Sequence, residues 1–546
     1  MGTDTVLIQN GLVIDGTGTA AFKGHVLIDG DLISTVFKEN EEPPAADTVI
    51  NASDCVIAPG FIDMHSHSDW LMASNEHPQL MKRFLEQGIT TVVGGNCGFS
   101  PAPITEKSIR LLRESPLQLI ISVPLDYEWR SMAEFLDRVS KTSPILNMAQ
   151  LVGHSTVRFA SSDTLRGTMK PDELNRCLDT VRRSFDEGAR GLSFGLGYDP
   201  GMYSPIEEIE AFCSVAADAG KTVTVHMKAL SKISPTYPLT SLKPHNIRAL
   251  KEMLDIARAT GCRLQLSHFI FVGRKSWPAA DRCLRMVDDA RRDGVDVMID
   301  AFPYTCGNTT INAVLPYWFL AMGDEGYRNR WAKLRLRAEL EIGFRLVGFM
   351  YHDFQVMDAA VEGWEDLDGL RISEIARKWG KTPFDTLLTM SEKSNGAALM
   401  LFHAYSGEPG NEGPLESVLA HESCLFETDV ILRKDGYPNP SGMGTFPRVL
   451  GFYARDRKLM GMEDAVSRMT SKSAARFGLT DRGIIEPGKA ADIVVFDSQR
   501  VSDTPPLGSQ PAGRPEGIKH VFINGAQVVK DGTYIDGARK GRVLRS

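Results

Sequence analysis

Residues 56–69 read VIAPGFIDMHSHSD, and the fold follows from how this stretch is read. Val56, Ile57 and Ala58, then Phe61 and Ile62, make an apolar run with the length of a buried strand; the Pro59-Gly60 pair inside it lets the backbone turn sharply. Asp63-Met64-His65-Ser66-His67 follows. Residues two apart in an extended chain share a side, so His65 and His67 project together while Met64 and Ser66 face away. Two imidazoles on one face of a strand end are a natural pair for a first-row metal. An isolated HxH is as readily two solvated loop histidines, so the rest of the chain has to decide.

Beyond this stretch, residues 59–478 alternate short β-like runs with amphipathic helical runs, the pattern of parallel βα units. Strands are expected at 56–62, 90–93, 147–152, 191–194, 222–225, 263–266, 295–299 and 425–426. Helices are expected at 171–187, 206–219, 245–260 and 278–292, each with apolar residues three and four apart. Eight such units predict an α/β fold, a TIM-like (β/α)8 barrel. Roughly 120 residues separate the last two strands, far beyond an ordinary βα loop, so 307–423 is read as an insertion forming a lid or substrate wall.

The two chain ends differ from the middle. Before residue 58, short apolar runs are punctuated by Asn10-Gly11, Asp15-Gly16 and Asp29-Gly30; the same character returns from 484 to 529. Residues 1–58 and 479–546 are therefore expected to pair into one small antiparallel β-sandwich domain.

Composition excludes several classes. A net charge of -8 gives no basic stripe for nucleic acid. No window reaches the eighteen or so uncharged apolar residues of a membrane span. The opening MGTDTVLIQNGLVIDG has neither a basic n-region nor an apolar signal core. Eight cysteines stand singly, none in a CxxC, which is the usage of reduced cytoplasmic thiols. A homo-oligomer stays open.

In a barrel of this kind chemistry sits where the strands end. The first ends in His65 and His67, and the second in TTVVGGNCG, with Cys97 just past its tip. The fifth ends VTVHMK with His226, the sixth LQLSHF with His268, and the eighth CLFETD with Asp429. A single buried cysteine usually behaves as a small hydrophobe. Four of twelve histidines at strand ends, beside one cysteine and one aspartate, point instead to a metal site.

The chain resembles the amidohydrolase superfamily and, within it, the D-aminoacylase (N-acyl-D-amino acid deacylase) family. The matching stretches are PGFIDMHSHSD, NCGFSPAP from Asn96, LVGHSTVR from Leu151, GLGYDPGMYS from Gly195, VHMK, LSHF, DAFPYT from Asp300 and GTFPRVLGFYAR from Gly444, with a closing MTSKSAARFGLTDRGIIEPGKAADIVVFD. The HxH is common to the superfamily, whereas NCG after the second strand is specific to this branch. The resemblance implies Zn2+ held by Cys97, His226 and His268, with a weaker second position near His65, His67 and Asp429. A thiolate and two neutral imidazoles suit zinc and leave a fourth place for water. Many relatives use a carboxylated lysine on the fourth strand; GLSFGLGYDPG offers none, so Cys97 is expected to stand in its place.

The implied reaction is hydrolysis of a small N-acyl amide, with Asp429 moving a proton from water to the leaving amine and His65 and His67 helping to stabilise the developing oxyanion. Tyr198 and Tyr304 are expected to meet the substrate carboxylate or carbonyl, and Lys228, two residues past His226, to line the pocket or stand behind the ligands. Two departures bear on substrate. The family's SDG is here Thr428-Asp429-Val430, preceded by Glu427. Its carboxylate-clamping arginine, after an HP pair, is missing from Tyr437-Pro438-Asn439-Pro440-Ser441. A bidentate guanidinium–carboxylate clamp is not replaced by serine; Arg433, Lys434, Arg274 or Lys275 could substitute, or the substrate lacks the carboxylate. A cyclic-amide or other C–N hydrolase is the alternative. Deamination is disfavoured, because His226-Met227-Lys228-Ala229 lacks a glutamate three residues on. A catalytically dead scaffold has no physical reason to keep an oxidisable thiolate among histidines.

Overall fold

The computed structural model describes residues 5–114, 121, 123–238 and 243–546. The first four residues of the opening read above lie outside the described residues. Eight parallel strands run in consecutive order: Phe61–Asp63, Ile89–Gly94, Asn147–Gly153, Gly191–Gly195, Thr222–His226, Arg263–Leu266, Val297–Ala301 and Cys424–Phe426. Each is hydrogen-bonded to the next. Seven strands of this near-closed barrel match those expected from sequence to within two residues; the first, expected at 56–62, is confined to 61–63.

Among the described residues no ladder joins the eighth strand to the first. The Asp63 carboxylate spans the gap, accepting from Thr428 N–H at 3.0 Å and Thr428 Oγ1 at 2.7 Å. Next to it the Asp429 N–H donates to the His65 carbonyl at 3.0 Å. Burial pushes the Asp63 carboxyl up to about 7 despite the Thr428 bonds that oppose it.

The helices form where the apolar spacing placed them. In Pro171–Asp186, Cys177, Leu178, Val181 and Phe185 are buried at three- and four-residue spacing; Pro171 opens the helix, where its missing N–H costs nothing. His245–Thr260 stops at Gly261, left-handed at φ 67°. The expected 278–292 helix is shorter, with a 3-10 turn at Trp277–Ala279 leading into Ala280–Arg292.

The run at 56–62 is not one strand. Val56–Pro59 pairs with Thr5–Val13 and Ile493–Phe496, whereas Phe61–Asp63 belongs to the barrel. The break falls at Gly60, where a Cβ would stand 2.3 Å from the Thr90 side chain, so only glycine lets the chain cross between the sheets. Both chain ends contribute to one nine-stranded sheet. It is mixed rather than antiparallel, because Thr5–Val13 runs parallel to Thr48–Asn51 and Val56–Pro59. Ile8, Val13, Val26, Ile28, Ile57, Ile493, Val495 and Phe522 form its core.

Between the seventh and eighth strands the chain builds a three-stranded antiparallel sheet, Cys306–Thr310, Leu399–His403 and Phe354–Asp358, with helices packed on it. Ile311, Phe319, Leu336, Phe344, Phe354 and Met400 belong to a core of its own. Among the described residues no helix is long and apolar enough to cross a membrane.

Gly60→Ala should destabilise the fold by about 1–3 kcal/mol through overpacking against Thr90. Gly343→Ala, in the helix Arg330–Val347 with nothing within 4 Å of an added Cβ, should stabilise it by about 0.4–1 kcal/mol. Urea unfolding of both variants checks the pair.

Candidate metal centre

The second strand delivers Cys97 through a tight turn. Gly95, Cys97 and Gly98 all take positive φ, at 80°, 52° and 79°. The buried Asp69 carboxylate accepts from Gly95 N–H at 2.7 Å, and Gly98 N–H donates to Ser193 Oγ at 3.0 Å. His268 and Asp429 also have positive φ, 32° and 45°. Three non-glycine residues in a sparsely populated backbone region, at three strand ends, mark a place where position outweighs local comfort.

Their side chains meet. Cys97 Sγ lies 3.5 Å from His65 Nε2, 3.4 Å from His268 Nε2 and 3.9 Å from His226 Nδ1. His226 Nδ1 and His268 Nε2 are 2.8 Å apart. Asp429 Oδ1 stands 3.5 Å from His65 Nε2 and 3.3 Å from His67 Nε2. His226 is pressed against Gly197, where a Cβ would come within 2.7 Å of its Nε2, so Nδ1 is the nitrogen that faces the cluster.

The electrostatics follow. Burial alone would raise the Cys97 thiol, but the His65 and His268 charges and the hydrogen bonds from His226 and His268 hold it well below its ordinary range, which favours the thiolate. Burial opposes charge on His67 too, yet its bonds to Asp429 and Cys97 raise it to about 9. Burial and the His268 charge lower His226. Asp429 stays low, with the bond from His67 and the nearby imidazoles outweighing burial.

These donors fit zinc. Two compact sets, His65 with Cys97 and His268, and His65 with His67 and Asp429, each hold their ligand atoms within 4.8 Å of one another. Tetrahedral zinc with Zn–S about 2.3 Å and Zn–N about 2.0 Å sets its ligands roughly 3.3–3.6 Å apart, close to the Cys97 spacings. Lone pairs aimed at one another in a buried pocket are otherwise costly. Behind the first set, His65 Nδ1 lies 2.9 Å from Glu427 Oε2 and 3.6 Å from Asp300 Oδ1. Asp300 also accepts from His268 N–H and Gln265 Nε2, both at 2.7 Å. Carboxylates behind metal-binding imidazoles fix ring and tautomer. Asp300 and Glu427 were not singled out from sequence. Glu427 lies two residues before Asp429, so the period of two that paired His65 with His67 would have found it.

Amidohydrolase family models match residues 56–237 and 438–529. A D-aminoacylase of Alcaligenes xylosoxydans xylosoxydans is 30% identical over 540 residues, covering 99% of this chain and 97% of that protein. The chain belongs to the amidohydrolase family. An N-acyl-D-glutamate deacylase of the same organism is 30% identical over 545 residues, 99% of this chain and 96% of the relative. The crystal structure of an N-acyl-D-glutamate deacylase from Bordetella bronchiseptica, complexed with zinc and a phosphonate inhibitor, superposes with a TM-score of 0.81 at 28% identity over the full length of both chains.

The other expected site residues of this amidohydrolase divide. Tyr198, 40% exposed, sets its hydroxyl 2.9 Å from His226 Nδ1, at the open side of the cluster. Tyr304 is buried and donates to Asp503 at 3.0 Å, beside Arg448. Lys228 donates to the Ser204 carbonyl at 3.1 Å, next to the buried His154–Glu208–Arg158 network. Arg274 is engaged by Asp353 and Glu408 at 2.6–3.0 Å, which leaves its fork no face for a substrate. Lys275 is exposed. Arg433 and Lys434 line a cavity of about 280 Å³ with Lys82, Arg83 and Val430, the residue after Asp429.

Cys97→Ser should leave the purified protein with far less tightly held zinc by metal analysis. Glu427→Ala should weaken zinc binding about 10- to 100-fold in chelator competition.

Proposed function

We propose that this amidohydrolase cleaves the amide of an N-acyl-D-amino acid or a related N-acyl compound, releasing a carboxylate and a free amine. The observation that carries the reading is the meeting of Cys97, His226 and His268 with His65, His67 and Asp429 at one rim of the barrel. The names of full-length relatives, a D-aminoacylase and an N-acyl-D-glutamate deacylase, support the substrate class.

Zinc at Cys97, His226 and His268, with a second and weaker place beside His65, His67 and Asp429, would polarise the amide carbonyl and bring the pKa of water towards about 7. Asp429, held by His67 and 18% exposed, takes the proton from the attacking water and returns it to the leaving nitrogen. His65 and His67 face the oxygen that gains charge. We assign the Tyr198 hydroxyl, which lies 2.9 Å from His226 Nδ1, as a donor to the substrate. Arg433 and Lys434, in the cavity that Lys82, Arg83, Val430 and Asp435 also line, take the substrate carboxylate. Eight cysteines without a disulfide suit a reducing cytoplasm.

One observation favours a second reading, an amide without a carboxylate. Asn439, in the stretch where the family resemblance implies an arginine, is closed onto Asn308 at 2.6 Å and onto Ser441 N–H at 3.0 Å.

Zinc-loaded protein assayed against N-acetyl, N-formyl and long-acyl D- and L-amino acids, alongside amides without a carboxylate, separates the two. D-amino acid derivatives should be the better substrates; turnover of carboxylate-free amides alone would overturn the first reading. Asp429→Asn should keep zinc at Cys97, His226 and His268 yet lose about 10²- to 10⁴-fold in kcat. Arg433→Ala should raise KM about 10- to 100-fold for the carboxylate substrates, the loss of one charged hydrogen bond, with kcat nearly unchanged.

A further inference from the structure

The helix Arg330–Val347, between the seventh and eighth barrel strands, has two apolar faces. Ala332, Leu336, Leu340 and Phe344, each four residues on, are buried in the insertion's own core. On the other side Trp331, Leu334, Ala338, Ile342 and Leu346 follow at spacings of three, four, four and four, which makes one stripe on an α-helix. Its large members are open to solvent: Trp331 is 69% exposed, Leu334 60%, Ile342 59% and Leu346 46%. A helix apolar on both faces expects cover on both. Together these side chains make a patch of roughly a few hundred Å², the size that marks an interaction site on a soluble protein.

Two properties of the stripe identify what covers it. It is nearly symmetric about Ala338, with Leu334 and Ile342 four residues to either side and Trp331 and Leu346 seven and eight residues away at the ends. A second copy laid antiparallel sets Trp331 against Leu346 of the other copy and Leu334 against Ile342. The two Ala338 side chains meet on the axis, where small residues let helix axes approach to about 8 Å. Charge follows the same symmetry. The N-terminal half carries Arg330, Lys333, Arg335 and Arg337, while the C-terminal half carries Glu339 and Glu341 with Arg345. Antiparallel pairing lays the cationic half over the half that holds the carboxylates; parallel pairing would set cations on cations. Glu339 and Glu341 also border the stripe, so an anionic membrane surface is the poorer cover.

We propose that the chain forms a two-fold homodimer through the antiparallel pairing of this helix with its copy. Such an interface is isologous and closes on itself. It is independent of the proposed reaction.

The test uses the full-length chain in size-exclusion chromatography with light scattering at tens of micromolar. The expected mass is twice the 60.1 kDa of one chain. The double variant Leu334→Asp/Ile342→Asp should run as a monomer with unchanged far-UV circular dichroism. Ala338→Cys should be captured as a covalent dimer by a short bismaleimide, whereas wild type and Lys393→Cys, on a neighbouring exposed helix end, should not. A monomeric wild type, a dimer that survives the double variant, or no capture through position 338 would overturn the proposal. So would a monomer that co-sediments with phosphatidylserine vesicles.

Discussion

The site exists because the last barrel strand is tied to the first without a ladder between them. The buried Asp63 carboxylate holds both the N–H and the hydroxyl of Thr428, and the Asp429 N–H reaches the His65 carbonyl. Those contacts join residues 364 or 365 positions apart. They put Asp429 within 3.5 Å of both imidazoles of the HxH. A ladder would have fixed the strands in register; here three hydrogen bonds fix the chemistry instead, and a carboxylate with no access to water is unforgiving of any partner lost.

Around that closure the chain concentrates groups that low dielectric would keep apart. A cysteine sulfur, several imidazoles and the carboxyl groups of Asp300, Glu427 and Asp429 lie within one cluster. The arrangement is costly unless a cation balances it. The backbone bears part of that cost, since Cys97, His268 and Asp429 all sit at positive φ. Asp300 and Glu427 extend the cluster on the Nδ1 side of His65, away from the nitrogen that faces Cys97 and Asp429.

Much of this was legible in the sequence. The eight strands and four of the helices followed from periodicity, because a barrel buries its strands on both faces and its helices on one. The convergence of His65, His67, Cys97, His226, His268 and Asp429 was readable from their common position just past strand ends. What could not be read depends on contacts distant in sequence. The split of 56–62 between two sheets turns on the space between Gly60 and Thr90. The sheet is mixed because Thr5–Val13 lies between neighbours of opposite sense, which no hydrophobic pattern encodes. Arg274 looked available for substrate, but its partners lie 79 and 134 residues further on. Tyr304 was expected in the pocket, yet its hydroxyl is held by Asp503, from the far end of the chain.

The proposed metal ion is gripped partly through sulfur, at Cys97, among the imidazoles of the barrel rim. X-ray absorption at the zinc edge of the zinc-loaded, full-length protein tests it most directly. One sulfur neighbour at about 2.3 Å beside nitrogen and oxygen neighbours near 2.0 Å is the expected spectrum. A first shell of nitrogen and oxygen alone, unchanged in Cys97→Ser, would contradict it.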